Sequence, residues 1–149
     1  VNNNLKVKAI HPDKNYYNQQ LNNNSIVLRI DYHNQSFLFA RDLEHDGEIY
    51  LLENYSNYLD VNFLKVAHHG SKSSTSQEFL AIVTPQTAFI PAGKRNMHNF
   101  PHHETLANLD YFRVNTYISG TDGALKLISS SDRIIAQALL SQELRLGNK

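Results

Sequence analysis

Residues 61–71, VNFLKVAHHGS, join a mostly apolar run to two histidines, a glycine and a serine. The apolar part, residues 61–67, has the composition of a buried strand, and the polar part indicates a loop at its end. Gly70 lets the backbone turn tightly, and the Ser71 hydroxyl can orient an imidazole. Histidine is a common ligand of zinc and other divalent metals, so this strand end is a candidate metal site.

Strand-like and helix-like patterns alternate on both sides of this segment. Apolar alternation predicts strands over residues 5–10, 25–32, 36–40, 87–91, 114–119 and 124–129. Helices are predicted over residues 44–55, 102–112 and 133–146. A further short helix is predicted to start at a capping box formed by Thr75 and Glu78 and to stop before Pro85. Residues 32–35 and 120–123 predict hairpin turns, and residues 11–24 indicate an exposed loop. The pattern predicts one α/β domain.

Composition limits the class of protein. The chain has 149 residues, of which 41% are hydrophobic, and this is enough to bury a core. The 14 basic and 14 acidic residues balance, which argues against a dedicated nucleic-acid coat protein but allows a small basic patch. The absence of cysteine excludes disulfides, thiolate catalysis and sulfur-ligated zinc. No apolar run approaches the roughly 20 residues that span a bilayer. The sequence starts with Val1 in place of an initiator methionine, and a strand pattern begins already at Leu5. We therefore expect the chain to be an excised part of a larger protein.

Polar residues that can carry chemistry follow three of the predicted strands. Asp42 follows the third strand, His68 and His69 follow the next, and the loop at residues 94–103 follows another. Ligands bind at strand ends in α/β sheets. A lone aspartate there also serves as a helix cap. If the strand continues through the histidine pair, only one ring faces the site, because neighbouring strand side chains point in opposite directions.

Two further groups have alternative interpretations. His11 ends the first predicted strand, where it is either an additional metal ligand or an exposed loop histidine. Four cations lie in loops at the presumed edge of the site, where they either hold phosphates or are solvated surface charges: Arg41, Lys72, Lys94 and Arg95.

Four segments together resemble a known family. They are FLFARDLE at residues 37–44, LKVAHHGSKSSTS at 64–76, the run from Asn96 to His102 with its Phe-Pro-His, and NSIVLRI at 24–30. These segments resemble the metallo-β-lactamase-like domain of the ComEC family of DNA-uptake competence proteins. The resemblance covers residues 5–129, and HHGS with its serine- and threonine-rich tail is its specific part.

The resemblance implies a fold and a set of site residues. It implies the C-terminal half of a metallo-β-lactamase-like αββα sandwich over residues 1–130, followed by a C-terminal helix or tail over 131–149. Asp42 and His68 would ligate one or two zinc or manganese ions, and His102 would contact the substrate or transition state. The implied catalytic residues are thus Asp42, His68 and His102, and those that support the site or contact substrate are His69, Ser71, Lys72 and Arg41.

The chain departs from the family pattern in two places. The family usually has Thr-Gly-Asp where this chain has Ala40-Arg41-Asp42, so Arg41 either distorts the turn or adds phosphate affinity. The family's His-x-His-x-Asp-His cluster, which supplies most of the metal ligands, has no match in this chain. Catalytic zinc sites use about three protein ligands, so Asp42 and His68 alone predict weak or absent metal binding.

The leading hypothesis is half of a metal-dependent phosphodiesterase or nuclease domain that works in DNA uptake. Its partners would be single- or double-stranded DNA, the rest of the membrane channel protein and the missing N-terminal half of the domain. The protein would lie in the bacterial inner membrane, with this soluble domain on the periplasmic or outer face. A degenerate, non-catalytic DNA-binding or structural module is the alternative, and a small-molecule hydrolase is a weaker third hypothesis. A half sandwich would also expose one sheet face, through Leu28, Ile30, Phe37, Phe39, Phe63, Leu64 and Val66.

Overall fold

The computed structural model describes residues 5–129 and 134–139. Six strands form one sheet in chain order: β1 (Leu5–His11), β2 (Val27–Tyr32), β3 (Gln35–Phe39), β4 (Phe63–Lys65), β5 (Thr87–Ile90) and β6 (Asn115–Ile118). Three helices connect the later strands: α1 (His45–Tyr55), α2 (Gln77–Val83) and α3 (His103–Tyr111). The short α4 (Ser119–Asp122) precedes a separate sheet of β7 (Ala124–Ser129) and β8 (Ile134–Leu139). Short 3-10 helices span Leu21–Asn24, Ser56–Tyr58 and Ala67–Gly70. Within the described residues, no helix is long and apolar enough to cross a membrane.

The larger sheet changes from antiparallel to parallel at β3. Strands β1, β2 and β3 form an antiparallel meander, whereas β3 to β6 are parallel to one another. The turn between β2 and β3 is the predicted hairpin, and His33 in it has a positive φ of 52°. Parallel neighbours need a crossover connection, which α1, α2 and α3 supply in turn. The predicted mixed α/β class is confirmed.

The hydrophobic core lies between one face of the sheet and the three long helices. Leu38, Leu64 and Ala88 come from three adjacent strands and are fully buried. Phe79 of α2 and Leu109 of α3 pack in the same cluster. Because β3, β4 and β5 are parallel, their carboxyl ends lie at one edge of the sheet, and the loops that follow them meet there.

The opposite face of the sheet is also apolar. The cross-strand pairs Leu28–Phe39 and Ile30–Phe37 lie on this face, outside the core cluster. Leu28 and Phe39 line a shallow groove of about 370 Å³ together with Ile26, Arg41 and Lys65.

The expected exposed set is therefore only partly correct. Leu28, Ile30 and Phe39 are half-buried, whereas Phe37, Phe63, Leu64 and Val66 are buried. Leu64 and Val66 fail the expectation because they belong to the core cluster that the helices cover.

The start of α2 differs by one residue from the predicted capping box. Ser76 is the N-cap, and its hydroxyl oxygen accepts a hydrogen bond from the Phe79 amide at 3.2 Å. Thr75 is buried and has a positive φ of 58°. An N-cap residue needs extended backbone, so Thr75 cannot fill this position.

The C-terminal elements differ most from the prediction. Residues 120–123 do not close a hairpin, because Ser119–Asp122 is helical and the Asp122 carboxylate accepts a hydrogen bond from the Ile118 amide at 2.7 Å. Strand β7 pairs with β8 instead. The helix predicted over residues 133–146 is thus wrong over 134–139, where strand pairing outweighs the helical spacing of apolar residues. The rest of that helix and its Ser131-Asp132 cap lie outside the described residues.

The loop after β1 is anchored through His11, which is 1% exposed. Its Nε2 donates a hydrogen bond to the Asn23 carbonyl at 2.7 Å, and its ring contacts Tyr16 with centroids 4.4 Å apart. Burial lowers the pKa of this imidazole. The interpretation of His11 as an exposed loop histidine is wrong, because the loop folds back over it.

Asp13 attaches the same loop to α1. Its Oδ2 accepts hydrogen bonds from the hydroxyl groups of Tyr50 and Tyr55, both at 2.6 Å. These two bonds hold the pKa of the Asp13 carboxyl at about 2. The ionised carboxylate is therefore the form that stabilises the fold.

We expect Asp13→Asn to remove a stabilisation that depends on pH. A carboxyl whose pKa is depressed on folding stabilises the native state above its unfolded value, and this effect is lost as pH falls towards the folded value. The difference in unfolding free energy between wild type and Asp13→Asn should be constant near neutral pH and shrink between about pH 4 and about pH 2. Urea unfolding across this range measures it, with the exposed Asp110→Asn as the control. A difference that does not change with pH would contradict the assigned role.

Candidate functional site

One carbonyl group ties two strand ends together. The Arg41 carbonyl, just after β3, accepts hydrogen bonds from the His68 amide and the Lys65 ammonium, both at 2.8 Å. Arg41 has a positive φ of 36°, where glycine would be unstrained. The side chain is 67% exposed, and its Nε lies 3.6 Å from Oδ2 of Asp42. The turn thus keeps its hydrogen bonds with arginine in place of glycine, and it brings Asp42 beside the histidine pair.

The histidine pair lies in a tight turn rather than in a strand. Strand β4 ends at Lys65, and His68 and His69 have left-handed backbone with φ of 44° and 55°. The argument that only one ring faces the metal assumed a continuing strand, and this premise is wrong because the strand ends before the pair. Both rings line the same pocket. The partner atoms of each ring, rather than strand alternation, therefore distinguish the two histidines.

His69 faces Asp42 with a free ring nitrogen. Its Nδ1 lies 2.5 Å from the Pro91 carbonyl, which only accepts hydrogen bonds, so in the neutral ring Nδ1 carries the proton. The other nitrogen, Nε2, lies 3.7 Å from Oδ1 of Asp42. A backbone carbonyl on one imidazole nitrogen is the usual way to orient the other nitrogen towards a metal.

His68 faces a different carboxylate, that of Glu44. Its Nδ1 lies 2.9 Å from Oε1 of Glu44. This nitrogen forms no hydrogen bond with Glu44 or with any other described residue. The same oxygen accepts hydrogen bonds from the Ser73 hydroxyl at 3.1 Å and the Asn22 amide at 3.4 Å. Glu44 therefore lies against His68 and accepts hydrogen bonds from the following loop and from the loop before β2.

Glu48, one helical turn after Glu44, is completely buried. Its carboxylate accepts hydrogen bonds from the backbone amides of Thr75 and, at 3.1 Å, of Ser76. Burial raises the pKa of this carboxyl group, while the amide hydrogen bonds oppose that rise. Glu44 and Glu48 together fix both ends of the segment that follows the histidine pair.

Asn23 caps α1 from outside the helix. Its Oδ1 accepts hydrogen bonds from the amides of Glu44 and Gly47, both at 3.1 Å, and no side-chain cap comes from Glu44 at the N-cap position. A Cβ at Gly47 would lie 2.3 Å from a Leu43 side-chain atom and 3.1 Å from Oδ1 of Asn23. Glycine at position 47 thus admits the external cap, and this leaves the Glu44 carboxylate free to contact His68.

Three other expected site residues, Ser71, Lys72 and His102, take part in hydrogen bonds of the loop that follows the histidine pair. The Ser71 hydroxyl contacts the Ser73 hydroxyl at 2.9 Å rather than an imidazole. Nδ1 of His102 accepts a hydrogen bond from the Lys72 amide at 2.9 Å, and His102 does not line the pocket in the described structure. Gly70 lies against Pro101, where a Cβ would come within 2.6 Å of the proline ring.

An open pocket of about 440 Å³ lies over this edge of the sheet. The structure brings Asp42, His68 and His69 to one side of it. Its remaining lining comes from the loop after β1 and the loop between β5 and α3: Asn22, Pro91, Ala92, Gly93, Asn96, His98 and Phe100. No group of three or more potential metal ligands occurs among the described residues. Within the pocket, Oδ1 of Asp42 and Nε2 of His69 lie 3.7 Å apart.

The sequence interpretation missed the residues that hold this arrangement. Glu44, Glu48, Asn23 and Asn96 were not recognised as site residues. The spacing of Glu44 and Glu48 is a usable signal, because residues four apart share one face of a helix. Asn23 and Asn96 carry no comparable signal, because their partners are backbone groups distant in the sequence.

Comparison with known proteins identifies relatives, although no family model matches the chain. ComE operon protein 3 of Bacillus subtilis is 35% identical over 105 residues, which are 70% of this chain and 13% of that protein. Recombination protein 2 of Haemophilus influenzae is 29% identical over 116 residues, 78% of this chain and 14% of that protein. Competence protein ComA of Neisseria gonorrhoeae is 29% identical over 118 residues, 79% of this chain and 17% of that protein.

The chain is a homologue of the ComEC family of competence proteins. The resemblance seen in the sequence is thereby confirmed at the level of the family. The chain spans between 13% and 17% of the length of these ComEC-family relatives.

We expect Glu48→Gln to destabilise the fold by about 2 kcal/mol, because it replaces an acceptor oxygen with a donor and leaves a buried amide unpaired. Glu48→Ala should cost more, since both amides then lose their partner. Thermal or urea unfolding at neutral pH measures both changes. The exposed Glu53→Gln on the same helix is the control and should change the unfolding free energy by less than about 0.5 kcal/mol. Equal effects at positions 48 and 53 would contradict the role of Glu48.

Proposed function

We propose that the chain provides the C-terminal half of a metallo-β-lactamase-like domain in a ComEC-like competence protein, and that this domain is a metal-dependent phosphodiesterase acting on DNA during uptake. In this proposal residues 1–130 form the half-domain, and residues 131–149 follow it. The protein belongs to the bacterial inner membrane, with this domain on the periplasmic or outer face. The names of the homologues support the link to competence.

The two faces of the sheet support the half-sandwich part of the proposal. One face packs against the helices, while the other carries the pairs Leu28–Phe39 and Ile30–Phe37 and the apolar groove. An αββα sandwich places a second sheet on such a face, and the two sheets share an apolar interior. The partner is then the N-terminal half of the same domain, together with the rest of the channel protein.

The observation that carries the proposal is the position of the His69 ring. Its Nε2 lies 3.7 Å from Oδ1 of Asp42, and its Nδ1 contacts the Pro91 carbonyl. An imidazole nitrogen and a carboxylate oxygen are a donor set that suits zinc or manganese. These two residues would hold one side of the ion, and the remaining ligands would come from the other half of the domain. Such an ion would act as a Lewis acid and lower the pKa of a bound water.

The two histidines then have different tasks. His69 presents Nε2 towards Asp42, whereas Nδ1 of His68 lies beside Glu44 at the wall of the same pocket. The sequence-based assignment of His68 as the ligand stays a prediction. The geometry favours His69 for the position next to Asp42, with His68 either ligating a second ion or fixing the turn.

Exposed cations close to the pocket residues in the sequence support DNA as the substrate. Lys72, Lys94 and Arg95 are exposed and lie within three residues of residues that line the pocket, and the Arg41 side chain is 67% exposed beside Asp42. A chain with zero net charge has no general basic surface, so this local group is the part suited to phosphate. Arg41, Lys72, Lys94 and Arg95 would position the phosphodiester against Asp42 and the histidines.

A non-catalytic DNA-binding module is the second candidate. The contact between Arg41 and Asp42 favours it, because Nε of Arg41 lies 3.6 Å from a carboxylate oxygen that the metal site would use. The lack of three or more grouped metal-ligand side chains among the described residues also favours it.

Zinc titration by calorimetry separates the two candidates. The chain by itself should bind zinc weakly, and Asp42→Ala and His69→Ala should abolish this binding, because each removes a ligand. His68→Ala should weaken it by about 10- to 100-fold if His68 acts by fixing the site. The exposed His103→Ala and Asp46→Ala are matched controls and should bind as the wild type does.

Plasmid cleavage with manganese completes the test. The chain alone should show no appreciable cleavage, and joining it to the preceding half of its domain should produce cleavage that Asp42→Ala abolishes. Zinc binding that survives Asp42→Ala would overturn the metal site. Stoichiometric metal and cleavage by the chain alone, lost in Asp42→Ala, would overturn the half-domain proposal.

A further inference from the structure

A buried histidine outside the pocket lies beneath the loop that joins β1 to β2. His11 ends β1 and is 1% exposed, and its Nε2 donates a hydrogen bond to the Asn23 carbonyl at 2.7 Å. The other ring nitrogen of the neutral imidazole, Nδ1, therefore carries no proton. Nδ1 is buried and has no hydrogen-bond partner among the described residues. A proton added there would meet no acceptor, so the ring suits its surroundings in the neutral form.

The groups packed around His11 do not balance a positive charge. The rings of Tyr16 and Tyr50 lie against it with centroids 4.4 Å and 5.7 Å away, and its partner on β2, Val27, is apolar. The pKa values of both tyrosines are raised, so their hydroxyl groups are neutral. The Asp13 carboxylate attracts a protonated ring, but both of its oxygens already accept other hydrogen bonds. Burial outweighs this attraction and the bond to the carbonyl, and it lowers the pKa of His11.

The segment that His11 holds takes part in both the helix cap and the pocket wall. Asn23 accepts the His11 hydrogen bond through its carbonyl, and its Oδ1 accepts from the amides of Glu44 and Gly47 at the start of α1. The preceding residue, Asn22, lines the pocket and donates a hydrogen bond to the Glu44 carboxylate at 3.4 Å. One imidazole thus supports the short 3-10 helix that connects α1 to the pocket.

This 3-10 helix, Leu21–Asn24, can leave the fold without disturbing the core. The Asn18 amide donates to Oδ1 of Asn24 at 3.0 Å, and the Asn24 side chain donates to the Asn18 carbonyl at 2.7 Å, so the loop closes on itself. Its large apolar side chains face solvent, since Tyr17 is 80% and Leu21 81% exposed. A segment that buries little apolar surface opens at a lower free-energy cost than the whole domain.

We propose that His11 is a pH-sensitive switch of the pocket wall, in which the neutral ring holds the segment Leu21–Asn24 against α1 and protonation releases it. Release withdraws Asn22 from the pocket and removes the Asn23 cap from α1, while the sheet and the other helices stay folded. The inference goes beyond the proposed function and holds whether or not the pocket binds a metal.

The direction of the pH effect follows from proton linkage. In the released segment His11 meets water, and its pKa returns to the ordinary value of 6.5, whereas the closed segment keeps it lower. The closed form therefore binds fewer protons than the open form. Closure is fully favoured above the ordinary pKa and weakens as pH falls from there towards the closed-state pKa.

Amide hydrogen exchange measured by NMR on the complete 149-residue chain tests the proposal. The probe amides are those of Glu44 and Gly47, and the reference amides are those of Val66 and Leu80, which bond to backbone carbonyls away from this loop. The range runs from about pH 7.5 to about pH 5, where Asp13 stays ionised because its pKa is about 2. Each rate is corrected for the intrinsic pH dependence of exchange.

The proposal expects the protection of the two probe amides to fall by up to about ten-fold for each pH unit below about 6.5, with the reference amides unchanged. His11→Gln keeps a side-chain donor for the Asn23 carbonyl but does not titrate, so it should remove this pH dependence. The exposed His103→Gln is the matched control and should behave as the wild type does.

Titration of the His11 ring by NMR gives a second measurement, which does not require that His11→Gln folds. The wild-type midpoint should lie below 6.5 and coincide with the loss of protection at the probe amides. Asn23→Ala keeps the carbonyl that His11 uses but removes the cap. Because linkage is reciprocal, this weaker closure should move the His11 midpoint up towards 6.5.

Four results would overturn the switch. They are a wild-type His11 midpoint at or above 6.5, protection of the probe amides that does not change with pH, an equal loss at the reference amides, and a pH dependence that survives His11→Gln. The third result would mean unfolding of the whole domain, and the fourth would assign the effect to another group, such as His68 beside Glu44.

Discussion

Two carboxylates at the start of α1, Glu44 at its N-cap and Glu48 in its first turn, hold the segment on which the site depends. Glu48 is buried and pairs with the amides of Thr75 and Ser76, while Glu44 contacts His68 and the Ser73 hydroxyl. Without the Glu48 carboxylate, the segment just before α2 would carry amides with no partner, and each such group costs about 1–3 kcal/mol when buried. The left-handed backbone at the histidine pair also needs fixed neighbours on both sides to persist. The helix therefore determines where the histidines lie.

The position of α1 is fixed in turn by the loop before β2. Asn23 caps the helix and leaves Glu44 free for its contact, and the Asn23 carbonyl accepts a hydrogen bond from buried His11. Asp13 joins the same loop to the middle and the end of the helix through Tyr50 and Tyr55. A chain of polar contacts thus runs from the end of β1 to the edge of the pocket. It gives a reason for the polar composition of residues 11–24 that does not depend on contact with a ligand.

Much of the fold follows from local patterns, and the site follows only in part. The strands near Leu38 and Leu64 and the helices between them have apolar spacing that tertiary packing reinforces. The strand pattern predicted that Asp42 and the histidine pair follow neighbouring strands, and the structure brings Asp42 and His69 together there. Two kinds of feature could not be predicted. Strand alternation does not apply at His68, because β4 ends at Lys65 although the apolar run continues to Ala67, and His68 lies in a left-handed turn. Residues 134–139 have helical apolar spacing, but pairing with β7 makes them a strand.

The central claim is that His69 and Asp42 form the donor pair of the site, and long-range proton–nitrogen NMR of the imidazole rings tests it most directly. In the neutral His69 ring the account predicts a proton on Nδ1, held by the Pro91 carbonyl, and an unprotonated Nε2. Adding zinc should shift the Nε2 resonance of His69, and Asp42→Ala should remove that shift. A proton on Nε2 of His69, or a zinc-dependent shift that appears at other histidines and survives Asp42→Ala, would contradict the account.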